Sequence, residues 1–449
     1  MKNILLLSNI ALLFLTTMLL IFDVGNVFVT VFSVFVAVVI IITFKLAHGN
    51  VLSLGFVFIV YNLLMHFGFG VINFLINDSI PKELYARWTL AFLRSENYAL
   101  AIIISALAFE SFVIFWLLGL KKTHVIRETS REIDINPSSS EKNVCYIFGI
   151  VMLGAVLIYF INLMIQGQFT LDMTYTDYRE NIMKDNNLYS WVLVFYPTGL
   201  LYVIASSKGK KCMYGIVLFA IVATLLLLTG NKGEVFYAVL ASLGIIGYQR
   251  KKLNKKHILL LCAIMFIIIP IVTSTRSTTG VKNGFSLEFA SLTEGFLEIG
   301  MQIRCLVYSL DGVSKGMYEF MQGYSYINPL CAVLSYVIFP LGYLPEIPID
   351  LSSSKSDFSG YGFTQVAEGY LNFGIMGAIL IFAILGYFIG KLEFTKMRTT
   401  TLCFVGSVLT IFINMSRNTF VFVPGQVAVM LAIYMVCRLI SKVKIRSQW

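Results

Sequence analysis

Charge is what this sequence has least of. Asp, Glu, Lys and Arg make up 13% of 449 residues, about half the share that a water-soluble globular chain carries. So few polar groups cannot cover a surface, which excludes a soluble enzyme. Histidine is nearly as scarce, with four residues at 48, 66, 124 and 257. Neither an HExxH pattern nor a Cys/His grouping accompanies them, so no metal centre is expected. The seven cysteines include no CxxC pair and mostly lie inside apolar runs, which excludes a secreted disulfide scaffold. Cys305 and Cys331 could share a compartment, but spacing alone does not establish a bridge. No Walker loop or Gly-rich nucleotide fingerprint occurs, so no nucleotide or other cofactor is expected. The net charge of +10 comes without a long basic arm or an aromatic-interleaved basic patch, so nucleic acid is not a partner.

Apolar residues are in excess instead, at 58% of the chain with mean hydropathy +0.81. They fall into runs at 4–22, 24–44, 51–76, 98–120, 144–165, 191–207, 214–229, 235–249, 258–273, 369–390, 399–414 and 419–440. These runs are continuous rather than alternating, which excludes a β-barrel and fits membrane helices of about 20 residues. The first run lacks a small-residue cleavage site and reads as a retained helix. Placing the N-terminus inside gathers Lys121/Lys122, Lys208 to Lys211, Arg250 to Lys256, Lys391 to Arg398 and Lys442 to Arg446 on the cytoplasmic side. Most of the acids then lie outside. The expectation is an all-α polytopic protein of the inner (cytoplasmic) membrane, with about twelve transmembrane helices, N-in and C-in.

One run does not fit. Residues 330–344 are apolar but short and lead into Pro340, Pro345 and Pro348. A re-entrant or interfacial segment suits that length better than a thirteenth span. The outer face then carries the segments 77–97, 166–190 and 274–368. The chain accordingly divides into helices one to nine (1–273), a large outer loop (274–368), and helices ten to twelve with the tail (369–449).

Several residues stand where lipid or its edge is expected. Arg276 follows the ninth span, Arg417 lies in a short loop between the last two, and Lys232 sits in the tight turn Gly230 to Glu234. Each either snorkels at the membrane edge or grips an anion, for which a guanidinium offers a two-pronged fork. Residues 286–310 read as an amphipathic surface helix, with Leu292, Phe296, Ile299, Ile303, Leu306 and Leu310 on one face and Arg304 on the polar flank.

The stretch from Asp357 to Gly374 interleaves glycines with aromatics, among them Tyr361 and Tyr370. Aromatic faces with polar edges suit sugar rings, and glycine lets a loop close over a substrate. Glu368 opens the tenth span. It is either a general base or a favourable charge at a helix N-terminus. Arg179 sits among Tyr175, Tyr178 and scattered acids in 166–190, a sugar-facing outer loop rather than a metal cage.

The turn Thr229-Gly230-Asn231-Lys232-Gly233 and the run Gly360 to Gly377, with Ala367-Glu368-x-Tyr370-x-Asn372-Phe373-Gly374-x-x-Gly377, resemble Wzy-type O-antigen polymerases. These are also called oligosaccharide repeat-unit polymerases. The resemblance covers the layout of most of the chain and, at motif level, 229–234, 274–277 and 357–377. It implies a GT-C-like helical fold and an outer-face glycosyltransferase needing neither metal nor nucleotide. Its substrates would be undecaprenyl-pyrophosphate-linked oligosaccharides held in membrane lipid, with a chain-length regulator (a polysaccharide co-polymerase) as a further partner. The product would be O-antigen or capsule. By position, Arg276, Arg304, Arg417 and Lys232 would hold pyrophosphate or another anion. Glu368 would be the catalytic base, and Tyr361, Tyr370, Asp357 and Arg179 would contact glycan. The family's Arg-x10-Gly pattern is absent. Related O-antigen ligases use an outer-loop His, which is also absent, and this favours a polymerase. The alternatives are a lipid-linked oligosaccharide flippase, for which Glu110 is the one clear mid-span charge, and a ligase or other GT-C transferase.

Overall fold

A computed structural model describes residues 1–22, 24–48, 52–76, 92–93, 95–120, 139–170, 173, 175–178, 181–182, 187–228, 231–249, 300–337, 362–393 and 395–446. Among these residues the chain is helical and has no strand. In chain order the helices are α1 (Lys2–Met18), α2 (Asn26–His48), α3 (Leu54–Ile76), α4 (Tyr98–Gly119), α5 (Ser139–Ile165), α6 (Asn187–Ser206), α7 (Lys210–Leu228) and α8 (Gly233–Tyr248). There follow α9 (Ile303–Ser314), α10 (Tyr324–Val337), α11 (Gln365–Glu393), α12 (Thr399–Asn414) and α13 (Val423–Arg446). Among the described residues, seven helices are long and apolar enough to cross a bilayer, and four shorter apolar ones accompany them. Large side chains such as Ile4, Leu7, Phe14, Val31, Ile158 and Met376 stand exposed. In water such a surface would drive aggregation, whereas in lipid it is the solvent-facing side. The protein is a multi-pass membrane protein. The ninth apolar run, 258–273, lies outside the described residues.

Two compact units share the chain. The first holds 1–131, 297–395 and 412–425; the second holds 132–296, 396–411 and 426–449.

The first unit is built on α4. Its residues are apolar on every side apart from Ser105, Glu110 and Ser111, and nearly all are buried. A helix that is apolar all round belongs inside a bundle. Gly386 and Gly390 of α11 let that helix ride on α4, where a Cβ would come within 2.2 Å of Phe112 O and 2.3 Å of Trp116 O. This is close packing through small residues, which substitutes in lipid for a hydrophobic driving force. Both contacts advance in the same direction, so α4 and α11 run parallel. Residues 324–337 form α10; the rest of the 330–344 run, 338–344, lies outside the described residues.

Several polar groups buried in this bundle find partners. Thr16 Oγ1 donates to Glu110 Oε1 at 2.7 Å, and His66 Nδ1 meets Ser105 Oγ at 3.0 Å. Glu393, at the end of α11, accepts from the backbone N–H groups of Leu54 and Gly55 at 3.0 and 3.1 Å. It thereby caps α3, whose first N–H groups have no partner within the helix.

In the second unit α5 and α6 meet at Gly149 and Gly199, where either Cβ would stand within 3.0 Å of the other's carbonyl oxygen. Tyr196 stacks on Phe219 at 4.4 Å. Glu141 Oε1 accepts from Thr400 N at 3.0 Å and Thr400 Oγ1 at 2.9 Å, capping α12.

Candidate functional site

The glycines of the Glu368 motif turn out to shape a helix corner. Within α11 the backbone leaves helical values at Phe373 (φ −141°, ψ 25°) and Gly374 (φ 64°, ψ −155°). The second pair lies in a region that essentially only glycine occupies. The chain turns so sharply there that Gly369 packs on Gly377 and Ala378. Two carbonyls lose their helical donors at the break. Met321 N and Gln322 N replace them, reaching Leu371 O at 2.8 Å and Asn372 O at 3.2 Å. The Asn372 side chain locks the arrangement. Its Nδ2 donates to Glu368 O at 2.7 Å and Ser325 Oγ at 2.8 Å, and its Oδ1 accepts from Gly323 N at 2.9 Å. Residues 369–374 are therefore not a loop that closes over substrate; they are helix and corner.

Glu368 sits on the short arm before this corner and is fully buried. Its Oε2 accepts from Phe420 N at 2.8 Å, at the first turn (Phe420–Phe422) leading into α13. Its Oε1 has no hydrogen-bond partner among the described residues. The carboxylate thus serves as a helix cap with one oxygen, and the Ser325 hydroxyl lies beside it.

Two of the predicted arginines meet beside this arm. Gly300, with φ 89°, lets the chain pass against α3, where a Cβ would stand 2.0 Å from Phe69 N. Gln302 N donates to Met65 O at 3.2 Å, and α9 begins at Ile303. Arg304 and Cys305 follow, both buried. From the other side, Ser416 Oγ donates to Asn62 Oδ1 at 3.0 Å and fixes the 415–419 turn on α3. Gly362, with φ 71°, lies against Arg417, and Phe363 N donates to Arg417 O at 2.9 Å. The Cys305 thiol donates to Gly362 O at 3.5 Å. Burial pushes that thiol up to about 11, while the guanidinium groups of Arg304 and Arg417 both pull the other way. It stays a neutral thiol at physiological pH and is no nucleophile. Cys305 and Cys331 are both free, so they form no bridge.

Tyr370 is half-buried, its ring edge-on to Phe320 at 5.9 Å. Lys232 belongs to the second unit, buried at the N-cap of α8. Beside it Asn231 Nδ2 donates to Tyr189 Oη at 2.8 Å, and Tyr178 Oη donates to the same oxygen at 3.1 Å. Tyr178 is buried there, an anchor rather than a sugar-facing ring. Arg276, Tyr361, Asp357 and Arg179 lie outside the described residues. The amphipathic helix expected over 286–310 also needs correction. Its described part, 300–310, is helical only from Ile303, and α9 is buried from Ile303 to Val307, because its Arg304 face is packed as well as its apolar one.

The model of the O-antigen polysaccharide polymerase Wzy family matches residues 4–446. The chain belongs to that family. Protein CapE of Staphylococcus aureus is 26% identical over 381 residues, which cover 83% of this chain and 81% of that protein. No solved structure matches the chain. This Wzy-family protein is a polysaccharide repeat-unit polymerase acting in a membrane on lipid-linked oligosaccharide units.

The roles of Cys305 and Asn372 here, and the Ser325–Tyr326 pair altogether, did not emerge from the sequence. Asn372 carried a signal, since a side chain that can cap a broken turn directly precedes Phe-Gly. Tyr326 carried none, because it precedes an apolar run.

Proposed function

We propose that this polymerase transfers a growing glycan from one undecaprenyl pyrophosphate to a newly arrived lipid-linked repeat unit, on the outer face of the cytoplasmic membrane. The observation that carries the reading is that Arg304 and Arg417 both lie within electrostatic reach of Cys305, next to the arm that bears Glu368. A pyrophosphate leaving group is already activated and multiply anionic. Cations in a partly dry site stabilise the charge that develops on it, with no metal or nucleotide required. Arg276 and Lys232 are proposed as further anion-binding residues.

Glu368 is the proposed base. The acceptor hydroxyl oxygen attacks the anomeric carbon of the donor glycan as the bond from that carbon to the pyrophosphate oxygen breaks. The proton passes to Glu368 Oε1, and the lipid pyrophosphate departs with the bonding electrons. Direct displacement of this kind inverts the anomeric centre. Tyr361, Tyr370, Asp357 and Arg179 are the proposed glycan contacts. Twelve spans with both termini inside would put these groups at the outer edge, where a chain-length regulator could dock.

Deletion of the gene, followed by electrophoresis of the cell's surface polysaccharide, tests the reading. Loss of the polymer ladder with a single repeat unit retained supports a polymerase. Loss of every repeat unit supports a flippase or ligase and overturns the proposal.

A further inference from the structure

Several buried polar atoms without partners belong to residues at or next to the contact between Glu368 and Phe420. Glu368 Oε2 accepts from this N–H at 2.8 Å, while Glu368 Oε1 has no partner among the described residues. The Tyr326 ring meets the Phe420 ring edge-on at 5.2 Å, and its hydroxyl is buried with no partner among the described residues. Thr419 directly precedes Phe420, is 4% exposed, and its Oγ1 is in the same condition. One helical turn before Glu368, Gln365 Nε2 donates to Phe412 O at 2.9 Å and leaves its Oε1 likewise. Four such atoms in one region are unusual, because folded proteins pair nearly all buried polar groups with protein, water or ligand.

The chemistry of the four atoms indicates what they take. Tyr326 and Thr419 each offer one O–H donor and acceptor lone pairs, and Glu368 Oε1 and Gln365 Oε1 accept. Burial, and secondarily the nearby Glu368 carboxylate, hold the Tyr326 phenol well above its ordinary range, so it remains a donor. Alternating donors and acceptors beside an aromatic ring match a polyhydroxylated ring. An anion would instead meet a carboxylate oxygen and an amide carbonyl oxygen, which repel it.

We infer that Tyr326 and Thr419, with Glu368 Oε1 between α10 and the start of α13, form a subsite for the hydroxyl groups of a sugar ring in the lipid-linked repeat unit. The inference rests on the polymerase reading above and names where the acceptor sugar sits. Tyr326 and Thr419 bind and orient that sugar, which brings its nucleophilic hydroxyl to the carboxylate.

Tyr326→Phe and Thr419→Val remove one hydroxyl each and little else. The purified chain in lipid nanodiscs would be assayed with undecaprenyl-pyrophosphate-linked repeat unit isolated from polymerase-deficient cells. Thermal stability would be measured in parallel. Each variant should raise KM by roughly three- to tenfold, the worth of one hydrogen bond, with kcat nearly unchanged. Melting temperature should hold or rise, since no protein hydrogen bond is lost. Unchanged KM in both variants overturns the subsite and marks the hydroxyls as hydrated core atoms. A lowered melting temperature in both, with activity lost in proportion to folded protein, also overturns it by showing a structural role. Should the wild-type chain fail to polymerise the lipid-linked unit, the polymerase reading fails by itself. Equilibrium binding of the free repeat-unit oligosaccharide, released by mild acid, then decides the subsite: weaker binding to Tyr326→Phe than to wild type keeps it, and equal binding removes it.

Discussion

A Cβ placed on Gly377 would stand 2.1 Å from the carbonyl oxygen of Gly369, eight residues earlier in the chain. In a straight helix those residues are about 12 Å apart along the axis. The contact exists because the chain turns at Phe373–Gly374, and the turn holds Glu368 on a short arm instead of leaving it at the mouth of a continuous span. Glycines that look suited to a mobile loop are thus requirements of a fixed corner.

The first prediction follows from that corner. Gly377→Ala forces backbone apart at a contact where no flexible side chain can yield, and Gly374→Ala places a Cβ where φ is 64°. Each should cost on the order of 1–3 kcal/mol and lower the yield of monodisperse protein in detergent. Gly154→Ala is the control, because its Cβ meets nothing within 4 Å. Its melting temperature should be unchanged or slightly higher. Equal melting temperatures for the three variants would remove the corner from the account.

The second prediction concerns the paired cations. Arg304→Ala and Arg417→Ala should each reduce polymer formation by about 10²-fold or more, the scale seen when one stabilising donor leaves an active site. Lysine at either position should restore little, since a point charge replaces a planar fork. Polymer length distributions on gels, normalised to membrane-inserted protein, check this. Full activity in both alanine variants would eliminate the clamp, and full activity in both lysine variants would reduce it to charge alone.

Cys305 provides the third. With its thiol pushed up to about 11, only about one molecule in a thousand carries a thiolate at pH 8. In a variant retaining Cys305 alone, maleimide labelling at pH 7–8 should be at least about a hundredfold slower than for an ordinary free thiol. It should rise as pH approaches the shifted value or on denaturation. Cys305→Ser can still donate to Gly362 O and should keep most activity. Rapid labelling at pH 7, or loss of catalysis in the serine variant, would instead make this thiol a reacting group.

Helix positions could be read from composition because lipid imposes a strong rule: every crossing needs a run of apolar residues. The run at 399–414 matches α12 at both ends, and that at 98–120 differs from α4 by one residue. The corner within α11 escaped because Gly374 sits in an apolar run, and hydropathy does not register a change of φ. The meeting of Arg304 with Arg417 escaped for a different reason. Their proximity depends on how α9 and the 415–419 turn both seat on α3, through Met65 and Asn62. Such contacts are set by packing between distant segments, which periodicity does not encode.

The last prediction separates the two roles of Glu368. The cap is present in the structure, with Oε2 accepting from Phe420 N at 2.8 Å. The base is a proposal resting on Oε1. Glu368→Gln preserves the shape, and its amide oxygen can still accept from Phe420 N, so the protein should remain folded. An amide cannot take the acceptor proton, however, and polymer formation should fall by roughly 10²–10⁴-fold while glycan binding persists. Glu368→Asp keeps a carboxylate but shortens its reach by one methylene, weakening cap and base together; its activity should fall between wild type and Gln. If capping is the whole role, the order reverses. Gln, which retains the hydrogen bond, then polymerises at close to the wild-type rate, and Asp is the poorer variant. Polymerisation rates of the reconstituted variants, compared with their melting temperatures, decide between these orders: a Gln variant as active as wild type would end the assignment of Glu368 as base.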